Sequence, residues 1–435
     1  MLAALCVSGK TAAPAQNPLK RPSLPVTWPW QMKVLISSIG SRGDVQPILA
    51  LALELRALGH NANLCVAPNF KDWVESFGVT CVPIGPDLKQ LTGGTTPRQP
   101  LKPSAEQLRQ LAVHTVRDQF SVLTEAARGC DLVVATGALQ FATRSVAEAL
   151  TIPYVFVAYC PAVLPSPDHP PPKMGAHYSQ SLPASTNLSL WAEEEQAWND
   201  RFGATLNEER AKAGLAPVDS VQRHIFTDRP WLAADPVIGP ITATADIVQT
   251  GAWLLPDQSP LPDHLSNFLA NGEPPVYFGF GSMRAAEQTS RVLIEAARAL
   301  GLRSIISQGW GNLNLIDAGT DSISISDVSH DKLFAQVAAI VHHGGAGTTT
   351  TAARGGKPQV IVPHVYDQHY WASRVQKLGV GVSGPVRDEL SVDALVQALR
   401  ECSRPELAAH ARTLAGRVEA NGARIAANRL VSEFG

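Results

Sequence analysis

Long apolar runs are missing from this 435-residue chain: none reaches the ~18 residues that a helix needs to cross a bilayer. Strong charge of either sign is missing too. Lys and Arg number 36 against 38 Asp and Glu, and a net charge of −2 gives no electrostatic footprint for nucleic acid or an anionic membrane. Cysteine is scarce and scattered. Cys6, Cys65, Cys81, Cys130, Cys160 and Cys402 form no CxxC pair and no metal-like spacing. Several lie in apolar runs, such as Cys65 in "NANLCVAP", where a reduced, buried thiol is expected, so a cytoplasmic address fits best. No D-x-D occurs, so a carboxylate pair holding a divalent ion on a diphosphate has no support. What is present is a well-buried composition, 45% apolar and 17% charged, which argues against a disordered protein. At this length two α/β domains are expected.

Residues 1–31 differ from the rest, being rich in Pro, Ala and Ser, with an opening apolar stretch short for a signal sequence. They read as a disordered extension or an upstream start, with a cleaved signal as the alternative. From Met32 short β-branched runs alternate with amphipathic stretches. "KVLISS" reads as a strand; Pro47 follows as the first residue of a helix whose Ile48, Leu51, Leu55 and Leu58 share a face, with Gly59 at its C-terminal cap. "NANLCVAP", "VTCVPI", "DLVVAT" and "PYVFVAY" read as further strands, and Ser104 to Gln107 as a capping box opening a long helix. Strands alternating with helices imply a parallel, doubly wound sheet.

The pattern breaks at 161–190, a Pro- and Ser-rich loop long enough to suggest function. A second cycle begins at "PPVYFGFGSM" and runs through "RSIISQ", "ISIS", "AAIVHH" and "PQVIVP". Two Rossmann-like halves joined by a linker are therefore expected, with ligands at the carboxyl ends of the strands.

The strongest motif is "VHHGGAGTTTTAARGGKP" (341–358): a strand end, His342 and His343, glycines 344, 345 and 347, then Thr348 opening a helix. Glycines let backbone N–H groups approach phosphate, and a helix start adds partial positive charge, with the adjacent histidines as further donors. GxxxxGK[ST] is absent and "GGAG" lacks the dinucleotide spacing, so neither the P-loop nor the dinucleotide reading holds. "GFGSM" places Ser282 where it is either an ordinary turn or a second wall of a phosphate site. Asp367 and Gln368 sit at a strand-to-helix junction, and a carboxylate beside an amide matches vicinal sugar hydroxyls. His364, Asp367 and His369 match no zinc-helix spacing. Val328 offers backbone to a nucleobase edge; Trp310 is either a stacking face or plain core packing.

Taken in order, "GSRGDVQP", "LPSPDHPPP", "FTDRPWLAADPVIGP", "DIVQTGAWLL", "PPVYFGFGSM", the 341–375 stretch and "LGVGV" resemble the GT-B, family 1 nucleotide-sugar glycosyltransferases. The nearest likeness is to the glycopeptide-antibiotic aglycone group, followed by sterol 3-β-glucosyltransferases. The resemblance implies an α/β GT-B fold with two Rossmann-like parallel-sheet domains facing across a cleft. An acceptor domain would span 32–238, a linker 239–255 and a nucleotide-sugar domain 256–435, with the last helix able to return onto the first domain. It implies inverting, metal-independent transfer from a UDP- or dTDP-hexose, with no cofactor, in a monomer or weak dimer. Carried over by motif, Asp44 is the general base. His343 and Thr348 contact the diphosphate, joined there by Ser282, Gly345, Ala346 and Gly347. Asp367 and Gln368 hold the sugar, and Val328 and Trp310 meet the base. Many relatives place a catalytic His after the first strand; this chain has Asp44 instead. A buried Asp44 of raised pKa is expected, because an ordinary carboxylate is a weak base. The prolines and aromatics of 161–190 suggest a hydrophobic acceptor.

Two other classes remain open at this stage. A sugar-nucleotide hydrolase would need paired carboxylates about the anomeric carbon, which the sequence does not announce. A binding protein without catalysis is the other; an adhesion role for Arg42-Gly43-Asp44 fails because the triplet abuts a buried strand.

Overall fold

A computed structural model describes residues 30–88, 104–137, 139–174, 177–241, 246–283, 285–286 and 288–435. The extension expected over 1–31 lies outside the described residues except for Trp30 and Gln31.

Two parallel sheets organise the chain. The first has seven strands: β1 (Lys33–Ser38), β2 (Asn61–Val66), β3 (Cys81–Pro83), β4 (Leu132–Thr136), β5 (Tyr154–Ala158), β6 (Trp231–Leu232) and β7 (Val248–Gln249), in the order β3-β2-β1-β4-β5-β6-β7. The second has six: β8 (Val276–Gly279), β9 (Ser304–Ser307), β10 (Ser322–Ile325), β11 (Ala339–His342), β12 (Gln359–Ile361) and β13 (Gly381–Ser383), in the order β10-β9-β8-β11-β12-β13. Every residue of β1 beyond the first is buried, as is all of β4, because helices cover both faces of a parallel sheet. In each sheet the order reverses once, between β1 and β4 and between β8 and β11. Those two switch points are where such sheets open a crevice for ligands.

The first helix, Arg42–Ala57, starts earlier than expected. Pro47 lies inside it rather than at its first position. The Ser41–Asp44 pair supplies the start signal instead, and Pro47 withholds the N–H that would have met the Gly43 carbonyl. At the other end Gly59 takes φ +91°, a conformation only glycine adopts freely. The Ser104 box is real: Gln107 N–H donates to Ser104 Oγ at 3.2 Å and Ser104 N–H to Gln107 Oε1 at 2.8 Å, opening the helix Ala105–Ala127.

The domains are joined by more than a tether. Residues 248–249, inside the stretch read as linker, form β7 and extend the first sheet; two residues are too few to show a pattern. The helix Gln368–Lys377 of the second domain is bound to the first by Arg374, which donates to the Ile238 carbonyl at 2.9 Å and the Val237 carbonyl at 3.4 Å. Its Trp371, 1% exposed, packs so close to Gly239 that a β-carbon there would stand 3.0 Å from the indole. The last helix, Gly422–Phe434, sends Ala423, Ala426, Ala427, Leu430 and Val431 into the same core cluster as Ile48, Leu51 and Leu55 of the first helix.

Candidate active site

Asp44 is the third residue of its helix and folds back on the turn before it. Its Oδ2 accepts from the Ser41 backbone N–H at 2.7 Å and the Ser41 hydroxyl at 3.1 Å. Only glycine fits at position 40, because a β-carbon there would lie 2.2 Å from that same oxygen. The backbone of Asp44 is pinned as well. Tyr159 donates its hydroxyl to the Asp44 carbonyl at 3.0 Å while standing 2.7 Å from Thr136 Oγ1, and Ser38 Oγ donates to that carbonyl at 3.3 Å. The second carboxylate oxygen, Oδ1, lies over Gly137 at the end of β4, across the switch point of the first sheet. Burial pushes the Asp44 carboxyl above its usual range, against the two Ser41 hydrogen bonds, which favour the ionised form.

The second sheet's switch point holds the glycine-rich turn. Beyond β11 the chain turns at Gly344, φ +93°, where a β-carbon would meet Ile361 at 2.7 Å. Gly345 then caps the helix Ala346–Arg354. Thr349 N–H is the first in that helix to find a partner, the Gly345 carbonyl at 2.9 Å, so the N–H groups of Ala346, Gly347 and Thr348 form its unpaired start. Thr349 and Thr350 turn their hydroxyls back onto the Gly345 and Ala346 carbonyls, both at 2.9 Å.

The two histidines part company here. At a strand end successive side chains leave on opposite faces. His342 turns into the core, where its Nδ1 accepts from the Gly344 N–H at 3.1 Å and its Nε2 donates to Gln359 at 2.8 Å. Burial pushes it down to about 3, so it is a neutral structural ring and not the second donor expected from the pair. His343 goes the other way, between Gly281 of the β8 loop and Gly345, where added β-carbons would stand 3.1 and 2.7 Å from its ring. Its Nδ1 is buried facing the Gly279 carbonyl, and burial pushes the ring down to about 4. Ser282 is half-buried on the adjoining loop, whose turn is closed by the Met283 N–H to the Phe280 carbonyl at 3.0 Å.

Asp367 precedes the helix Gln368–Lys377 and accepts from Trp371 Nε1 at 3.0 Å. Burial pushes its carboxyl up to about 7, opposed by the Trp371 bond and reinforced by the charge of Asp44. The structure thus brings within electrostatic reach two carboxylates that the sequence separates by most of its length. Gln368 is 5% exposed, and its carbonyl oxygen is taken by the N–H groups of His364 at 2.7 Å and Val365 at 3.1 Å. Its amide nitrogen faces Met283 Sδ at 3.5 Å, so Gln368 also braces the turn that presents Asp367. Tyr366, just before, sits at φ +59°, unusual for a bulky residue, and its N–H reaches across to the Lys173 carbonyl of the first domain at 3.1 Å.

That contact belongs to the long loop after β5. It runs through a short turn at Pro161–Val163 and ends sooner than read from sequence, since Ala184–Trp198 is already helical. The Ser-rich opening of that helix hides its start, because serine favours caps and turns. The loop lies along the second domain, with His177 stacked on His369 at 4.5 Å between ring centres. The nucleobase candidates lie farther along the second sheet. Val328 is half-buried in the loop after β10. Trp310, after β9, has one ring face stacked on Phe70 of the first domain at 5.8 Å, while its backbone N–H donates to the Gly281 carbonyl at 2.9 Å. Sequence reasoning passed over Tyr159, Tyr366 and Asp327; only the left-handed backbone at Tyr366 and the tertiary contacts pick them out.

No group of His, Cys, Asp and Glu among the described residues is arranged to hold a metal ion. Nor is any helix there long and apolar enough to cross a membrane.

Comparison with known proteins agrees with this geometry. Residues 34–165 match the glycosyltransferase family 28 N-terminal domain, and residues 313–423 match the erythromycin biosynthesis protein CIII-like C-terminal domain. The chain is 44% identical over 409 residues to a vancomycin aglycone glucosyltransferase of Amycolatopsis orientalis, covering 92% of this chain and 97% of that protein. A sterol 3-β-glucosyltransferase of Arabidopsis thaliana is 30% identical, over 88% of this chain and 62% of its own length. The crystal structure of the glycotransferase of kitacinnamycin shares the fold at TM-score 0.69 and 18% identity, over 94% of this chain and 100% of that one. With two Rossmann-like sheets, a cleft between their switch points and these relatives over most of its length, the chain belongs to the GT-B, family 1 glycosyltransferases.

Proposed function

We propose that this enzyme is an inverting, metal-independent glycosyltransferase that moves a hexose from a UDP- or dTDP-sugar to a hydroxyl of a hydrophobic small-molecule acceptor, giving a β-glycoside. One observation carries the reading: a half-buried carboxylate, Asp44, stands at the switch point of the first sheet, and at the switch point of the second lies a helix start whose first N–H groups are unpaired.

In this reading Asp44 takes the acceptor's hydroxyl proton as the acceptor oxygen bonds to the anomeric carbon, opposite the departing diphosphate. The bond to the donor phosphate breaks, and its electron pair leaves with the nucleoside diphosphate. That growing negative charge is met by the free N–H groups of Ala346, Gly347 and Thr348 and by the His343 ring, with Ser282 on the adjoining loop. An anion there would lie beside His343 Nε2, the ring nitrogen against Gly345, and a nearby negative charge offsets the burial that holds the ring neutral. Asp367 accepts from sugar hydroxyls, with Gln368 holding the turn and offering its amide N–H. Val328 and Trp310 line the base. Buried Pro161, Ala162, Val163 and Leu164 supply an apolar wall for the acceptor.

The nearness of Asp367 to Asp44 favours a second reading, hydrolysis of the sugar nucleotide, in which water replaces the acceptor. One assay separates the readings. Protein is incubated with labelled UDP-glucose or dTDP-glucose and a panel of phenolic, sterol, macrolide and peptide acceptors. A β-configured glycoside, formed with chelator present, is expected; free sugar alone means hydrolysis, and bound but unconverted donor means a binding protein.

A further inference from the structure

Arg42 is the residue of the Arg42-Gly43-Asp44 triplet that the proposed chemistry leaves without a task. Its guanidinium crosses the cleft to the carboxylate of Asp327, in the second domain's loop after β10. On the near side it lies over the Trp73 ring, 4.9 Å from the ring centre. A second cross-cleft contact stands beside it, the stack of Phe70 on Trp310, and Phe70 meets Trp73 edge-on at 6.3 Å. One short segment of the first domain, residues 68–76, therefore backs both contacts. On the far side they land on Asp327, next to Val328, and on Trp310, the two residues proposed to meet the base.

We propose that Arg42 is a positioning residue that ties closure of the cleft at the nucleotide end to the placement of Asp44. This rests on the transferase reading above. Arg42 and Asp44 occupy the first and third positions of one helix, so a displacement of the guanidinium is carried to the carboxylate through a rigid turn closed by Ser41. The loop that holds Asp327 is itself anchored: Ser329 Oγ donates to the Asp257 carbonyl at 2.7 Å, and His330 Nε2 stands 3.1 Å from the Tyr277 hydroxyl on β8. The Arg42 and Asp327 side chains keep 41% and 78% of their surface exposed. A pair that open biases a closing equilibrium by no more than about fivefold, which suits a contact that must part for every donor exchange. Arginine serves better than lysine here, because its flat fork can pair in one plane while stacking on an indole.

The test is a double-mutant cycle on the full chain with Arg42→Gln, Asp327→Asn and the exchange Arg42→Asp/Asp327→Arg, using the donor and acceptor that the wild type accepts. Five quantities are read: kcat, donor KM, the ratio of donor hydrolysis to transfer, nucleoside diphosphate affinity, and Tm. Each single variant is expected to lower kcat/KM about three- to fivefold and to raise the hydrolysis ratio, because a loosely shut cleft admits water. The double neutral variant should be no worse than either single, and the exchange should recover most of the loss. Diphosphate affinity and Tm should stay at wild-type values. Additive losses, unchanged singles, or a loss at Arg42→Gln that appears only in diphosphate affinity each overturn the assignment. If the wild type transfers no sugar, the transferase reading falls and this assignment with it; if it does and the cycle is additive, only the role of Arg42 falls.

Discussion

Replacing Gly40 by alanine adds one methyl group and removes no functional atom, yet it should disable the site. The new β-carbon would stand 2.2 Å from Asp44 Oδ2, 2.3 Å from its Cγ and 2.8 Å from its Cβ, so the whole side chain must leave its place. Relief needs a shift of about 1 Å or more, and a misplacement of that size in a reacting group costs on the order of 100-fold in rate. The move also breaks both bonds from Ser41 to Oδ2. Losing such a start-of-helix contact costs about 1 kcal/mol, offset by a few tenths from the stiffer unfolded chain. The expected result is a kcat about 100-fold down, a Tm about 2 °C lower, and unchanged affinity for nucleoside diphosphate, whose proposed contacts lie in the other domain. Steady-state transfer kinetics and calorimetric titration measure all three. A Gly40→Ala variant within threefold of wild-type kcat would refute the placement of Asp44.

Acidification should destabilise the protein. Burial holds His330 and His343 down to about 4 and His342 and His364 to about 3, so below pH 6.5 the unfolded chain binds protons that the native one refuses. From pH 7 to 5.5 these four lose about 5 kcal/mol together. Asp367, raised to about 7, works the other way, because the native state holds its proton first, and returns about 2 kcal/mol. With His224 and His369, which burial also holds down to about 4, the net loss is about 6 kcal/mol; it should appear in urea midpoints, and flat stability over that range would contradict the burial of these rings. Asp367→Asn should weaken the intact nucleotide sugar about tenfold while leaving the nucleoside diphosphate alone; equal losses for both would remove Asp367 from the sugar.

The scaffold was legible where strands are long and apolar. "KVLISS" and "DLVVAT" announce β1 and β4 because nothing else fits between their flanking breakers, and parallel order follows from the helices between them. β6 and β7 are two residues each, and no periodicity exists in two residues. Pro47 misled because proline favours a helix start, whereas the Ser41–Asp44 contact outweighed it. The glycine-rich turn was readable from composition, but which of its two histidines faces the cleft depends on where β11 stops, a matter of one residue. Arg42 was opaque for another reason. Its partner, Asp327, lies 285 residues away, and an exposed ion pair leaves no trace in local pattern.

Asp44→Asn tests the central claim most directly. Asparagine keeps the shape and the contact with Ser41 but cannot accept the acceptor's proton. Transfer should fall by about 100-fold or more while nucleoside diphosphate and nucleotide-sugar binding stay within twofold. Transfer at near wild-type rate in that variant, with donor binding intact, would contradict the assignment of Asp44 as the base.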